Sequence, residues 1–369
     1  MKTAKEYIES IKAMHPTVYA FGEKVEDVTS CPVFKPTLNA IALTYSLAQK
    51  PENEWMTVTS PYTNDKINRF LHICESTDDL VKRAEMSKYL TPFHGACVGA
   101  RCVGTGALNT LFATTYDIDK KHGTDYHERF KKFLAHVQAE DLVCSGMVTD
   151  AKGDRSLRPA LQADPDVYLH IVERREDGIV VSGAKAHQSG AVLAHYNIIV
   201  PTTGMKEDEK DFSIAFAVPA DAPGITHIAE APAPNARRLT DADPMDFGNA
   251  VYGVHAATLV VFNNVFIPNE HIFMCGEYEF AGKMAVNFGR FQRMHTSACK
   301  SGHVNLTMGA AAVLADYNGC SKMSHIKEKL IDMTFSSALT YGTCLASAYK
   351  GVPMEAGDYF HCSLRERFR

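Results

Sequence analysis

The chain has 369 residues, 22% charged and 46% hydrophobic, with a formal net charge of −5. That length fits two or three domains with real cores, and the composition excludes disorder, collagen-like sequence and small disulfide scaffolds. Mild acidity without a basic block argues against nucleic acid as a partner, and no run of about 18 apolar residues reads as a membrane span. The N-terminus, Met1-Lys2-Thr3-Ala4-Lys5-Glu6, lacks the apolar core of a secretory signal, so a soluble cytoplasmic protein is expected. Its ten cysteines then read as reduced thiols, not as a disulfide framework.

Helical signals dominate to about Glu140. Thr3-Ala4-Lys5-Glu6 is a capping-box pattern, followed by Tyr7, Ile8 and Ile11 at helical spacing. Ser76-Thr77-Asp78-Asp79 caps a second helix that runs to Leu90. Two more are expected over Gly106–His122 and Tyr126–Val137. From Asp141 the pattern turns to β. Val167–Val172 and Ile179–Val181 flank the hairpin signal Glu176-Asp177-Gly178, and further strands fit Tyr196–Val200, Phe212–Val218 and Thr258–Phe262. Prolines at 201, 219, 223, 232, 234, 244 and 268 exclude a long helix there. Beyond Phe280 helical patterning returns, with a break at Asn318-Gly319 and a second helix over Ile326–Ala348. The expected domains are helical over 1–140, β over 141–275, and the start of a helical bundle over 276–369.

Four segments hold residues suited to chemistry. Cys97 and Cys102 form a C-x4-C pair; a continuous helix would set them about 140° apart, whereas Gly95, Gly99 and Gly104 permit a loop that brings them together. Both a metal pair and two incidental thiols remain open. His295 and Cys299 are four apart, so a helix would stack them on one face, as a soft or borderline metal site or as a core thiol beside a surface imidazole. Lys300 would lower the pKa of a thiol beside it. Thr149 to Ser156 combines turn residues with two cations, the inventory for a phosphorylated ligand or for a solvated turn. Lys185 to Gly190 follows a strand and carries His187, either a base or a satisfied core histidine. No GxGxxG and no P-loop is present.

Taken in order, several segments carry a resemblance: Glu75–Leu80, Arg101-Cys102-Val103-Gly104, Thr149–Ser156, Arg175 through His187, Asn264–Asn269 and Ala315–Gly319. The chain resembles the 4-hydroxyphenylacetate 3-hydroxylase flavoprotein family, on the branch of the 4-hydroxybutyryl-CoA dehydratases/vinylacetyl-CoA Δ-isomerases. That resemblance implies an α+β multidomain, acyl-CoA dehydrogenase-like fold with an N-terminal helical domain, a middle β-barrel and a C-terminal helical bundle. The family continues with further bundle helices after Tyr359, so a truncated bundle with exposed apolar faces over 300–350 is expected. It also implies bound FAD, contacted at Thr149, Lys152, Gly153, Asp154, Arg155 and Ser189, and a homo-oligomer, tetrameric in the family. The substrate would be a small acyl-CoA or an aromatic compound.

On the dehydratase branch the resemblance implies a [4Fe-4S] cluster held by three cysteines and a histidine. Cys102 and Cys299 match those positions, Cys97 is displaced by one residue, and Gln292 stands where the histidine belongs. His295 is the candidate substitute, and Lys300 is retained as a catalytic position. Thr296 and Ala257 replace a tyrosine and a catalytic glutamate. Two other readings follow: a cluster-free flavin oxidoreductase of the 4-hydroxyphenylacetate 3-monooxygenase type, and a truncated, non-catalytic member that associates with full-length subunits.

Overall fold

The computed structural model describes residues 1–230, 243, 245, 249–253 and 255–360. The prolines at 232, 234 and 244 and the tail His361–Arg369 lie outside the described residues.

The helices are α1 (Ala4–Lys12), α2 (Lys35–Ala48), α3 (Thr77–His94), α4 (Ala100–His122), α5 (Tyr126–Ala139), α6 (Tyr278–Tyr317) and α7 (Ser324–Tyr349). In the N-terminal half, two short hairpins pair β1 (Thr17–Ala20) with β2 (Glu23–Lys24) and β3 (Thr57–Thr59) with β4 (Lys66–Asn68). The β region holds β5 (Cys144–Met147), β6 (His170–Arg174), β7 (Gly178–Ser189), β8 (Tyr196–Ile199), β9 (Ile214–Pro219), β10 (Ile225–Glu230), β11 (Ala257–Pro268) and β12 (Ile272–Cys275). Near the end of the described chain, β13 (Val352–Pro353) pairs with β14 (Tyr359–Phe360). The described residues divide into two compact units, one within 1–73 and 98–289 and the other within 74–97 and 290–360.

In the first unit local chemistry sets the helix starts. Thr3 Oγ1 accepts the Glu6 N–H at 3.1 Å while the Glu6 carboxylate accepts the Thr3 N–H at 2.7 Å, the expected capping box. Pro36 in the first turn of α2 supplies a preset φ where the N–H has no intrahelical partner. Tyr7 stacks on Tyr45 at 5.2 Å between ring centroids, and Val33, Phe34, Leu38 and Ile41 close the core around them.

The β-barrel expected over the middle region is replaced, among the described residues, by two open sheets. One runs β2-β1-β10-β11-β7-β6 and the other β12-β9-β8-β5. The cause is non-local pairing. Thr17–Tyr19 lies parallel to Thr226–Ile228, so a strand from the N-terminal segment takes an edge that closure would need, and β5 pairs parallel with β8 on the other sheet. The Glu176-Asp177-Gly178 hairpin forms as expected, pairing Arg174 with Ile179.

Close contact between α4 and β5 fixes the start of the β region. An added Cβ at Gly104 would sit 1.9 Å from the Cys144 carbonyl oxygen, and one at Gly146 would sit 2.7 Å from Val103 O. Only glycine lets these two backbones approach so closely.

In the second unit Ser76 Oγ caps α3 by accepting the Asp79 N–H at 3.1 Å. Phe291 of α6 packs on Phe360 at 4.2 Å between ring centroids, and Ser337 of α7 donates to Ser301 O at 3.2 Å. The Lys88 ammonium sits 3.7 Å over the Tyr341 ring. The outer face of α7 is apolar and open: Ile331 and Phe335 are 64% and 66% exposed, and Leu339 is exposed beside them. Patches of this kind drive association in water. The isolated chain is therefore expected to self-associate at micromolar concentration, and Ile331→Glu with Phe335→Glu to shift it toward monomer. Light scattering reads this directly, and unchanged mass in the double variant would refute it.

Candidate functional site

Two groups of side chains suit chemistry, one in each unit. In the first unit β5 ends at Met147 and the chain turns through Thr149–Ser156 beside the end of β7. The Thr149 carbonyl is pinned twice, accepting the Ala186 N–H at 2.8 Å and the Gln188 Nε2–H at 2.9 Å. Beyond it Lys152 and Gly153 take positive φ values of +74° and +40°. A Cβ on Gly153 would fall 2.5 Å from Gln162 Oε1, so a larger residue would displace that amide as well as strain a φ of +40°. Asp154 is committed locally, its carboxylate accepting from the Ser156 N–H at 2.8 Å and from Ser156 Oγ at 2.7 Å, which holds its pKa below the ordinary carboxylate value. Lys152 and Arg155 enter no ion pair among the described residues. The segment thus offers two uncommitted cations on a tightly held turn.

Below this turn lies a buried ion pair. Lys185 Nζ and Asp150 Oδ1 are 2.8 Å apart, with both side chains only 3% exposed. On the neighbouring surface His187 holds φ +60° at a β7–β11 register shift. Glu230 grips it twice, accepting the His187 N–H at 2.6 Å and meeting Nδ1 at 2.8 Å, which leaves Nε2 outward. Ser189, Ala257 and Glu230 stand in cross-strand register, hence on one face of the sheet.

The second unit carries Cys97, Cys299, Lys300 and His295, while Cys102 falls in the first unit, in the opening turn of α4. His295 does not stand over the thiols as a free ligand. It is buried, Ser87 Oγ lies 2.6 Å from its Nδ1, and burial with the nearby Arg83 charge pushes its pKa down to about 3. The imidazole that does meet Cys299 is His303, one turn later on α6. Its Nε2 is 2.5 Å from Ala96 O, and its Nδ1 lies 2.9 Å from Cys299 O and 3.5 Å from Cys299 Sγ. Both ring nitrogens thus face a carbonyl oxygen, and the neutral ring donates its one N–H to Ala96 O or to Cys299 O according to tautomer. His303 carries the same four-residue spacing from Cys299 as His295 does, so spacing signalled both equally and contacts separate them. Burial pushes the Cys299 thiol up to about 11, with the Cys97 charge adding to the rise and Lys300 opposing it. Lys300 itself is exposed, and Thr296 Oγ1 is spent on Gln292 O at 2.6 Å.

The sequence profile described as 4-hydroxyphenylacetate 3-hydroxylase N terminal matches residues 3–274, and the corresponding C-terminal profile matches 281–362. The chain belongs to the 4-hydroxyphenylacetate 3-hydroxylase family. Within that family it is 45% identical over 360 residues to the 4-hydroxybutyryl-CoA dehydratase/vinylacetyl-CoA Δ-isomerase of Clostridium aminobutyricum, covering 97% of this chain and 73% of that one. It is 27% identical to the oxygenase component of 4-hydroxyphenylacetate 3-monooxygenase from Geobacillus sp., over 89% of this chain and 66% of the relative. Among solved structures, the oxygen-tolerant archaeal 4-hydroxybutyryl-CoA dehydratase from N. maritimus superposes with a TM-score of 0.93 at 43% identity, over 98% of this chain and 71% of that one.

These family cofactors can be weighed against the side chains present. A dinucleotide such as FAD needs cations for its diphosphate and a backbone free to approach it; Lys152, Arg155 and the positive-φ turn at Gly153 fit that need. The histidine expected for a cluster is not matched: Gln292 stands at its position, and His295 is engaged by Ser87. Among the described residues no three His, Cys, Asp or Glu side chains are grouped to hold a single metal ion. No helix among the described residues is long and apolar enough to cross a membrane.

Proposed function

We propose that the chain is a flavin-dependent enzyme of the dehydratase/isomerase branch, acting on a short acyl-CoA. The observation that carries this reading is 45% identity across 97% of the chain, so nearly every element is matched in one relative. Lys152 and Arg155 would pair with the flavin diphosphate, and the backbone of Thr149–Gly153 would approach the cofactor. When bound, the flavin would supply an electron acceptor.

Of the branch's two reactions, the double-bond shift is the one this chain's side chains support. Moving the vinylacetyl double bond into conjugation removes one proton from C2 and returns one to C4, with no net oxidant. His187 is built for such a transfer: Nε2 accepts the proton, and the Glu230 carboxylate at Nδ1 holds the resulting imidazolium. His295 is a poor base, since burial suppresses its protonation.

The test is anaerobic purification with FAD added, then bound flavin, iron and sulfide per chain, and conversion of vinylacetyl-CoA to the but-2-enoyl thioester. Flavin and isomerisation together support the reading, and Lys152→Ala with Arg155→Ala should weaken flavin binding by about tenfold or more. Flavin without isomerisation would favour the second reading, a cluster-free monooxygenase, for which glutamine at the histidine-ligand position, Gln292, speaks. Oxygen-dependent turnover of a phenol would then establish it. No flavin at all would overturn both.

A further inference from the structure

We propose that the buried node of Lys185, Asp150 and Thr202 positions the flavin-binding turn, so that its integrity sets flavin affinity; this rests on the flavin reading above. The ammonium of Lys185 has three N–H groups and three acceptors: Asp150 Oδ1 at 2.8 Å, Val148 O at 2.9 Å and Val200 O at 3.2 Å. Asp150 continues the network. Its N–H donates to Thr202 Oγ1 at 3.1 Å, Oδ2 lies 2.5 Å from that hydroxyl, and Oδ1 accepts the Leu169 N–H at 3.4 Å. Each link ends on a different piece of backbone: Val148 just after β5, Val200 just after β8, Leu169 just before β6, and Lys185 within β7.

An ion pair this deep is weak evidence for stability, because desolvation of both charges offsets their attraction and a well-packed apolar pair often does as well. An apolar pair cannot specify direction. The node ties four backbone segments to one another, and the chain leaves it at Asp150 to form the Lys152–Gly153 turn two residues later. The same stretch of β7 pins Thr149 O through Ala186 and Gln188. A small displacement at the node therefore passes directly to the cations of the turn, and loss of placement costs binding in proportion.

The experiment titrates FAD into the parent chain, Lys185→Met and Lys185→Met/Asp150→Leu, with thermal melting and amide exchange on each. In Lys185→Met, FAD affinity is expected to fall about tenfold or more, and exchange at the Ala186 and Lys152 amides to rise. The double variant removes the unpaired buried carboxylate, so its melting temperature should return toward the parent's while flavin affinity stays low. Parental affinity in either folded variant would overturn the positioning role, as would unchanged exchange at those amides. A parent chain that binds no FAD overturns the flavin reading and this inference with it, whereas parental binding with unaffected variants overturns this inference alone.

Discussion

Replacing Gly104 with alanine is expected to be the most destabilising single substitution proposed for this chain, on the order of 4 kcal/mol or more. The added Cβ would lie 1.9 Å from the Cys144 carbonyl oxygen and 2.6 Å from its carbonyl carbon. Neither atom belongs to a side chain that can rotate away, so α4 and β5 must separate. That separation would open the core where the Thr149–Ser156 turn begins. Gly146→Ala, opposite on β5, should act in the same direction and less strongly, its closest approach being 2.7 Å to Val103 O. Gly309, in α6, meets nothing within 4 Å, so Gly309→Ala should be neutral or stabilise by up to about 1 kcal/mol. Thermal or urea unfolding of the three variants orders them, and a Gly104→Ala chain as stable as the parent would refute the close-packing account.

The second large effect is acid unfolding. Burial drives the pKa of His295 and of His195 from the ordinary 6.5 down to about 3, and those of His94 and His227 to about 4. Each is held neutral chiefly by its burial, which outweighs the opposing pull of the Ala220 carbonyl on His227. His195 Nδ1 accepts the Val143 N–H at 2.9 Å, His94 Nδ1 accepts the Ala96 N–H at 2.9 Å, and His227 Nε2 sits 2.8 Å from Ala220 O. Below about pH 6.5 the unfolded chain binds protons that the folded chain refuses, so stability is full above that value and falls as the pH drops toward 4 and 3. Each histidine contributes on the order of 3 kcal/mol across that window. Urea unfolding at pH 7 and pH 5 should show a large loss at the lower pH. Replacing His295 with Gln should flatten part of the dependence while costing stability at pH 7, and an identical pH slope in that variant would count against burial as the cause.

Local chemistry is what the sequence by itself determined. The Thr3 and Ser76 caps, the helix over Tyr126–Ala139, the 176–178 hairpin and the break after Tyr317 all form where short-range signals place them, because each depends on residues a few positions apart. Family membership was legible for a related reason, since ordered short segments carry it. Helix α2 escaped notice: ten of its fourteen residues are buried, so no polar face marks its period.

Tertiary structure decided the rest, wherever partners are distant in the chain. Whether the β region closes into a barrel depends on which strands take its edges, and Thr17 pairs with Thr226. Glycines at 104 and 146 look like flexible points in sequence and prove to be a contact surface. His295 and His303 flank Cys299 at equal spacing; Ser87 engages the first, and the second lies between Ala96 O and the backbone and thiol of Cys299. Lys185 and Asp150 are 35 positions apart and become one buried charge pair. Such pairings are set by packing and desolvation between segments, energies that no local pattern of residues records.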